Sequence, residues 1–200
     1  MGIFLGIAGM NHGFFETLQG NQPTLGLIIQ AIGPAHRMWL HGSEEAFTII
    51  PNFLLTGFLA ILVGLSMIVW SISFIHKKHG PGVFFLLFIL LFLFGGGIGQ
   101  IVFFLPTWLA STRINQPLSW WQKFLPNKVC QVLKNFWPYT LTLASLCFFT
   151  GLSIAIFGYF PGFEDPDTIL YTDWAILLAA LILILFSFVS GFTDDIIRNQ

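Results

Sequence analysis

The chain has 200 residues, of which 56% are hydrophobic and 8% are charged, and its formal net charge is −1. Soluble domains need about 25% charged residues to cover their surfaces, so this composition excludes an ordinary soluble domain and indicates an all-α integral membrane protein. The near-neutral charge gives no sign of nucleic-acid binding or of a polybasic attachment to a membrane surface. The partner that the composition predicts is the lipid bilayer.

Five apolar runs predict transmembrane helices, because about 20 apolar residues cross a hydrocarbon core of about 30 Å. These spans are approximately 2–19, 47–75, 83–109, 138–160 and 173–192. The first run is close to the lower length limit and contains two ionisable residues. We expect one transmembrane domain over residues 1–200, made of a bundle of about five helices.

The first span carries a helical stripe of glycines. Its members recur at intervals of three, four and seven residues: Gly2, Gly6, Gly9, Gly13 and Gly20. Glu16 occupies the missing step of this series, and His12 lies one turn earlier on the flank of the same face. Small residues let another backbone approach closely, so we expect this face to pack against protein and not against lipid.

Two shorter segments predict helices that do not cross the membrane. Residues 22–34 are apolar but too short to span, and prolines and glycines bound them, which favours a re-entrant or interfacial helix. Residues 127–137 place valines and aromatic side chains on one face and lysines on the other. This pattern predicts an interfacial amphipathic helix, after a Trp120–Trp121 pair at the level of the lipid headgroups.

A glycine cluster interrupts the third predicted span. Gly95, Gly96, Gly97 and Gly99 fall near its middle, beside Gln100. The cluster either lets neighbouring helices touch or marks a kink or an unwound turn. We favour contact between helices, because an unwound turn at that depth requires a polar cavity around its backbone.

The candidate functional residues lie in the first span and in the loop 35–46. His12 and Glu16 are four residues apart and share one helical face. The further candidates are His36, His41, Glu44 and Glu45 in the loop, together with Gln100. Such a set could ligate a divalent metal, for which the candidates are His12, Glu16, His41 and Glu44, or it could relay protons or bind a cationic or polar substrate.

Simpler interpretations stand beside these. His12 and Glu16 could satisfy each other and only fix helix packing, and the acids of the loop could be solvated groups that cap the second span. No zincin, GxSxG or P-loop motif is present. A bis-histidine haem is excluded because spans two to five have no histidine in their interiors. No cofactor is indicated.

Three classes of function remain open. The first is a small carrier, channel or substrate-binding membrane subunit, with a polar His/Glu site near the cytoplasmic end of the first helix. The second is a structural or accessory subunit of a homo-oligomer or a larger membrane complex. The third is a membrane-embedded, metal-dependent enzyme that acts on lipid.

The basic residues predict the topology, because cytoplasmic loops are enriched in Lys and Arg. The four longer spans put six of them on one side: Arg37, Arg113, Lys123, Lys128, Lys134 and Arg198. Lys77 and Lys78 lie on the other side. We therefore expect a cytoplasmic C-terminus and a cytoplasmic segment 111–137, with residue 1 and the acidic loop 161–173 outside.

Overall fold

The computed structural model describes residues 1–118 and 125–198, apart from the side chain of Asn127. The described part is mostly helical and includes one two-stranded sheet. Its elements are α1 (Gly2–Leu18), β1 (Ile28–Gln30), β2 (Glu45–Phe47), α2 (Phe53–Ser73), α3 (Gly80–Leu93), α4 (Gln100–Ser111), α5 (Asn127–Leu133), α6 (Trp137–Phe157) and α7 (Pro166–Arg198). The chain divides into two compact units, Met1–Ile114 and Asn115–Gln200.

Three of the described helices, α2, α6 and α7, are long and apolar enough to cross a membrane. They coincide with the spans predicted at 47–75, 138–160 and 173–192 and support a membrane location. Five spans are not confirmed. Helix α1 has only 17 residues, and the run 83–109 is divided between α3 and α4, which have 14 and 12 residues and are about 21 Å and 18 Å long.

Helices α3 and α4 form an antiparallel hairpin. The Phe88 ring stacks on Phe104 at a centroid distance of 3.7 Å, and Phe85 contacts Trp108 at 5.0 Å, so later residues of one helix meet earlier residues of the other. The chain reverses through Gly95 and Gly97, whose φ angles of 95° and 89° suit glycine. The glycine cluster is thus an unwound turn, and our preference for helix contact at this place is wrong.

The backbone of this turn is hydrogen-bonded to the segment 45–49. Gly95 N donates to Phe47 O at 2.9 Å and Ile98 N donates to Glu45 O at 3.1 Å, while Ile49 N donates to Leu93 O at 3.0 Å. An extended stretch of protein therefore pairs with three backbone groups at the helix break, Leu93 O, Gly95 N and Ile98 N, and fills part of the role of a polar cavity.

The prediction of a helix over 22–34 is wrong. The segment is extended, and β1 pairs antiparallel with β2 in the register Ile29↔Ala46. Local apolar character could not reveal this, since the pairing partner lies over a dozen residues away. We call residues 22–52 the cap. The side chain of Gln19, at the end of α1, is hydrogen-bonded to the cap: its Nε2 donates to Gln30 O at 3.0 Å and to Ala31 O at 2.9 Å.

The glycine stripe of α1 packs against protein, as predicted. A Cβ atom placed at Gly13 would lie 2.5 Å from Gly57 O of α2, and one at Gly6 would lie 2.6 Å from Gly64 O. The two backbones therefore touch along an antiparallel helix pair. The core beside them is formed by apolar side chains of α1–α4, including Leu5, Met67, Phe84, Leu91 and Phe104.

In the second unit, α6 and α7 also pack antiparallel. Trp137 Nε1 donates to Asp194 Oδ2 at 3.1 Å, and a Cβ atom at Gly151 would meet Leu177. The amphipathic helix predicted over 127–137 is shorter: α5 ends at Leu133, and α6 starts at Trp137 with a proline in its first turn, where proline is well tolerated. The predicted headgroup position of Trp120 and Trp121 falls outside the described residues.

Candidate functional site

The helices α1–α4 contain two ionisable side chains, and both belong to α1. His12 is 4% exposed and Glu16 is 0% exposed. Both face the glycine turn between α3 and α4, beneath the cap. A charged side chain is rarely buried to this degree unless it is paired, so their surroundings decide what the site can do.

The Glu16 carboxylate lies directly against Gly95. A Cβ atom at Gly95 would come within 2.5 Å of Glu16 Oε2, so a larger residue at that position would displace the carboxylate. Neither oxygen of Glu16 has a hydrogen-bond partner in the described part of the chain. Glu16 is therefore an enclosed acid for which the described residues provide no donor.

His12 is held by the cap. Its Nε2 lies 2.8 Å from Glu44 Oε2, and its ring lies against Gly97, where a Cβ atom would be 2.7 Å from Nε2. Its other nitrogen, Nδ1, is buried and has no hydrogen-bond partner among the residues described. His12 thus joins the outer loop to the interior face of α1.

Glu44 is the outermost member of this group, with 48% of its side chain exposed. The surrounding protein desolvates its carboxyl group, which raises the pKa, but the hydrogen bond and the charge of His12 lower it more. The net result is a pKa of Glu44 below its usual value. The carboxylate form is therefore favoured beside His12.

Gln100 completes the ring of polar groups around the turn. It is 8% exposed and donates through Nε2 to Gly96 O, while its Oε1 has no partner in the described residues. The three successive glycines thus meet polar side chains: Gly95 lies against Glu16, Gly96 against Gln100, and Gly97 against both His12 and Gln100. We call Glu16, His12, Glu44 and Gln100 the turn site.

The remaining sequence candidates lie in the cap. Glu45 is an exposed residue of β2, and its contact with the turn is made by its backbone carbonyl. The His41 ring packs edge-to-face on the Trp39 ring at a centroid distance of 5.5 Å, and His36 is partly exposed. The structure brings His12 and Glu44 together, and within the described ranges it shows no group of three or more metal-ligating side chains.

Both simpler interpretations differ from the observed contacts. His12 bonds to Glu44, so it does not serve as the partner of Glu16. The start of α2 is capped by Asn52, whose side chain accepts from Leu55 N at 3.0 Å, and this is a standard N-cap contact. The loop acids are therefore not the cap of this helix.

Two threonines at the turn were missed by sequence reasoning. Thr48 and Thr56 are 1% and 0% exposed, and their hydroxyl oxygens are 2.6 Å apart. Thr56 also donates to Phe94 O at 2.8 Å. They connect the cap, α2 and the turn, and no local pattern distinguishes them from other threonines near a helix start.

The chemistry of the turn site has to be argued from its own geometry, because no protein-family model, no curated protein and no solved structure matches this chain. A buried carboxylate is costly when ionised and unpaired. A proton or a small cation would remove that cost. The arrangement is therefore suited to binding positive charge at Glu16.

Proposed function

We propose that the protein is a small multi-pass membrane carrier or channel for a cation, and that Glu16 is the group that binds the proton or metal ion in transit. The observation that carries this proposal is the enclosed Glu16 carboxylate without a hydrogen-bond donor. Ionisable residues inside membrane bundles are expensive and commonly mark ion and proton pathways.

The position of Glu16 beside an unwound turn supports the same proposal. Transport sites are often formed where membrane helices are discontinuous, because the break supplies backbone oxygen atoms that can bind a cation. Here the break adjoins Glu16 at Gly95 and His12 at Gly97. Irregular backbone at membrane depth is tolerated where it is enclosed by protein, and the segment 45–49 encloses this turn.

Cation flux into lipid vesicles tests the proposal. Purified protein is reconstituted into vesicles that enclose a pH-sensitive dye or a dye for Na⁺ or K⁺, and a gradient of each cation is applied in turn. We expect flux of at least one of the three through the native protein and its loss in Glu16→Gln, which has a similar volume but no charge. The matched control is Glu164→Gln, an exposed acid in the second unit, which should transport as the native protein does.

Thermal unfolding of each variant in detergent separates loss of transport from loss of fold. Undiminished flux in a folded Glu16→Gln variant would contradict the role of this residue. Vesicles that pass none of the three cations would overturn the proposal and favour the accessory-subunit hypothesis.

A further inference from the structure

We infer that the transported cation is a proton, and that it reaches Glu16 from the cap side through a relay formed by Glu44 and His12. The inference rests on the proposed function, since it names the ion and its route to the same site. Glu44, His12 and Glu16 are 48%, 4% and 0% exposed. They therefore form a series of titratable groups that leads from the surface of the cap into the interior.

The first step of the relay is already in hydrogen-bond contact. Glu44 Oε2 and His12 Nε2 are 2.8 Å apart, which is within the range for direct proton transfer. His12 and Glu16 are four residues apart on α1, which places their Cβ atoms about 5–6 Å from each other on one helical face. Within the described residues, Nδ1 of His12 and both oxygens of Glu16 have no hydrogen-bond partner, and these are the atoms that the second step requires.

The relay conserves protons and charge over the three residues together: Glu44 gains a negative charge, Glu16 loses one, and His12 stays neutral. Glu44, which is mostly ionised, takes up a proton transiently and gives it to Nε2 of His12 in the neutral form of the imidazole, which carries its own proton on Nδ1. The Nδ1 proton then passes to the Glu16 carboxylate once a water molecule or a side-chain rotation bridges these two groups, which are not hydrogen-bonded to each other. The imidazole is neutral before and after and has changed only its tautomer, while one proton has left Glu44 and one has arrived at Glu16.

The surroundings favour this route over others. Helices α2, α3 and α4, which pack around α1, contain no titratable side chain in their described sequences. The other charged or titratable groups near the site belong to the cap: His36, Arg37, His41 and Glu45. Glu44 is in direct hydrogen-bond contact with the buried imidazole.

Proton flux in vesicles that enclose a pH-sensitive dye tests the relay. His12→Gln can still donate a hydrogen bond to Glu44 but cannot pass a proton, so we expect its proton flux to fall about a hundredfold, a usual effect of losing a positioned proton-transfer group. Glu44→Gln should slow the flux in the same direction, and Glu164→Gln should leave it unchanged.

Imidazole rescue distinguishes a relay from a purely structural role. In His12→Ala, added imidazole should restore part of the proton flux, since a small base can occupy the vacated space beside Gly97. A lost packing contact would not be restored in this way. Because Glu44 lies in the cap and is half exposed, Glu44→Gln keeps the test valid even if both His12 variants fail to fold.

The possible failures separate the relay from the proposed function. Native flux in His12→Gln, with flux lost in Glu16→Gln, would overturn the relay and leave Glu16 as the transport site. A native protein that passes Na⁺ or K⁺ but no protons would also overturn the relay and leave Glu16 as the transport site. Absence of all cation flux would overturn the proposed function as well.

Discussion

At the scale of single residues, Gly95 meets two separate demands. Its φ of 95° is unfavourable for residues with a side chain, and a Cβ atom there would collide with the Glu16 carboxylate. We expect Gly95→Ala to lower the free energy of unfolding by about 1–3 kcal/mol and to reduce cation flux. Thermal unfolding and vesicle flux measure the two effects.

Gly99 is the matched control for this change. It belongs to the same turn, its φ of −60° is ordinary, and nothing lies within 4 Å of a Cβ placed on it. Gly99→Ala should therefore unfold and transport like the native protein. Equal losses in the two variants would show that the turn tolerates no side chain at all, and would remove the specific role of Gly95.

The lowered pKa of Glu44 predicts that the stability of the folded protein depends on pH. Its folded pKa is below the usual value of about 4.3 for glutamate, so its ionised form stabilises the fold at pH values above the unfolded pKa. That stabilisation is lost as the pH falls through the folded pKa. We expect the melting temperature of the native protein to exceed that of Glu44→Gln at pH 7 and the gap to close below about pH 4.

The measurement is thermal unfolding of both proteins in detergent across this range. A gap that stays constant with pH would contradict the role of the Glu44 charge and would assign the effect of the substitution to shape alone.

At the scale of elements, the contact between α1 and α2 depends on the absence of side chains. A Cβ atom at Gly13 would lie 2.5 Å from a backbone oxygen, which cannot move without separating the helices. We expect Gly13→Ala to destabilise the protein by about 1–3 kcal/mol. Gly82→Ala is the control, since Gly82 also lies in a helix but its Cβ position is open.

Gly82→Ala should be neutral or stabilising, because alanine favours helix more than glycine does. Melting temperatures of the two variants decide the matter. If Gly13→Ala has the same melting temperature as the native protein, the backbone contact between α1 and α2 does not contribute to stability.

The sequence could predict those elements whose cause is local. Hydropathy located α2, α6 and α7, and glycine spacing identified the packed face of α1. The sequence marked the glycine cluster at 95–99 as either a helix contact or an unwound turn, but it could not show that the chain reverses there into the α3–α4 hairpin, since the reversal depends on backbone pairing with residues 45–49. The strands of the cap are three residues each, and only their mutual pairing defines them.

The same distinction applies to the candidate site. His12 and Glu16 could be identified because an ionisable side chain in an apolar helix is conspicuous. Which loop acid meets His12 could not be read from the sequence, since Glu44 and Glu45 are adjacent and similar. Their roles differ because Glu45 belongs to β2, whereas Glu44 precedes the strand and reaches α1.

At the scale of the whole molecule, the hairpin changes the expected topology. It starts and ends at the same end of its unit, so residues 76–79 and 112–118 lie on one side if α1, α2, α6 and α7 each cross the membrane. That side would then carry six basic residues of the described part, Lys77, Lys78, Arg113, Lys128, Lys134 and Arg198, and a seventh, Lys123, is assigned to it by its place in the sequence alone. Arg37 alone lies on the other side. A division of seven basic residues against one agrees better with the positive-inside rule than the six against two of the five-span topology.

With this topology we would still expect the C-terminus and the segment 111–137 in the cytoplasm, but residue 1 would lie inside and the cap outside. Single cysteines at Leu25 and Lys78 distinguish the two arrangements, in a chain whose Cys130 and Cys147 have been replaced. Leu25 is fully exposed in the cap, and Lys78 is exposed in the turn between α2 and α3.

We expect a membrane-impermeant maleimide to label Leu25→Cys in intact cells and to label Lys78→Cys only after permeabilisation. A third span formed by a single helix would give the reverse at both positions. Lys134→Cys is the control, since both arrangements place it in the cytoplasm. Labelling of Lys78→Cys from outside, with Leu25→Cys protected, would contradict the hairpin topology. The turn site would then lie at the cytoplasmic face, and protons would enter the relay from inside the cell.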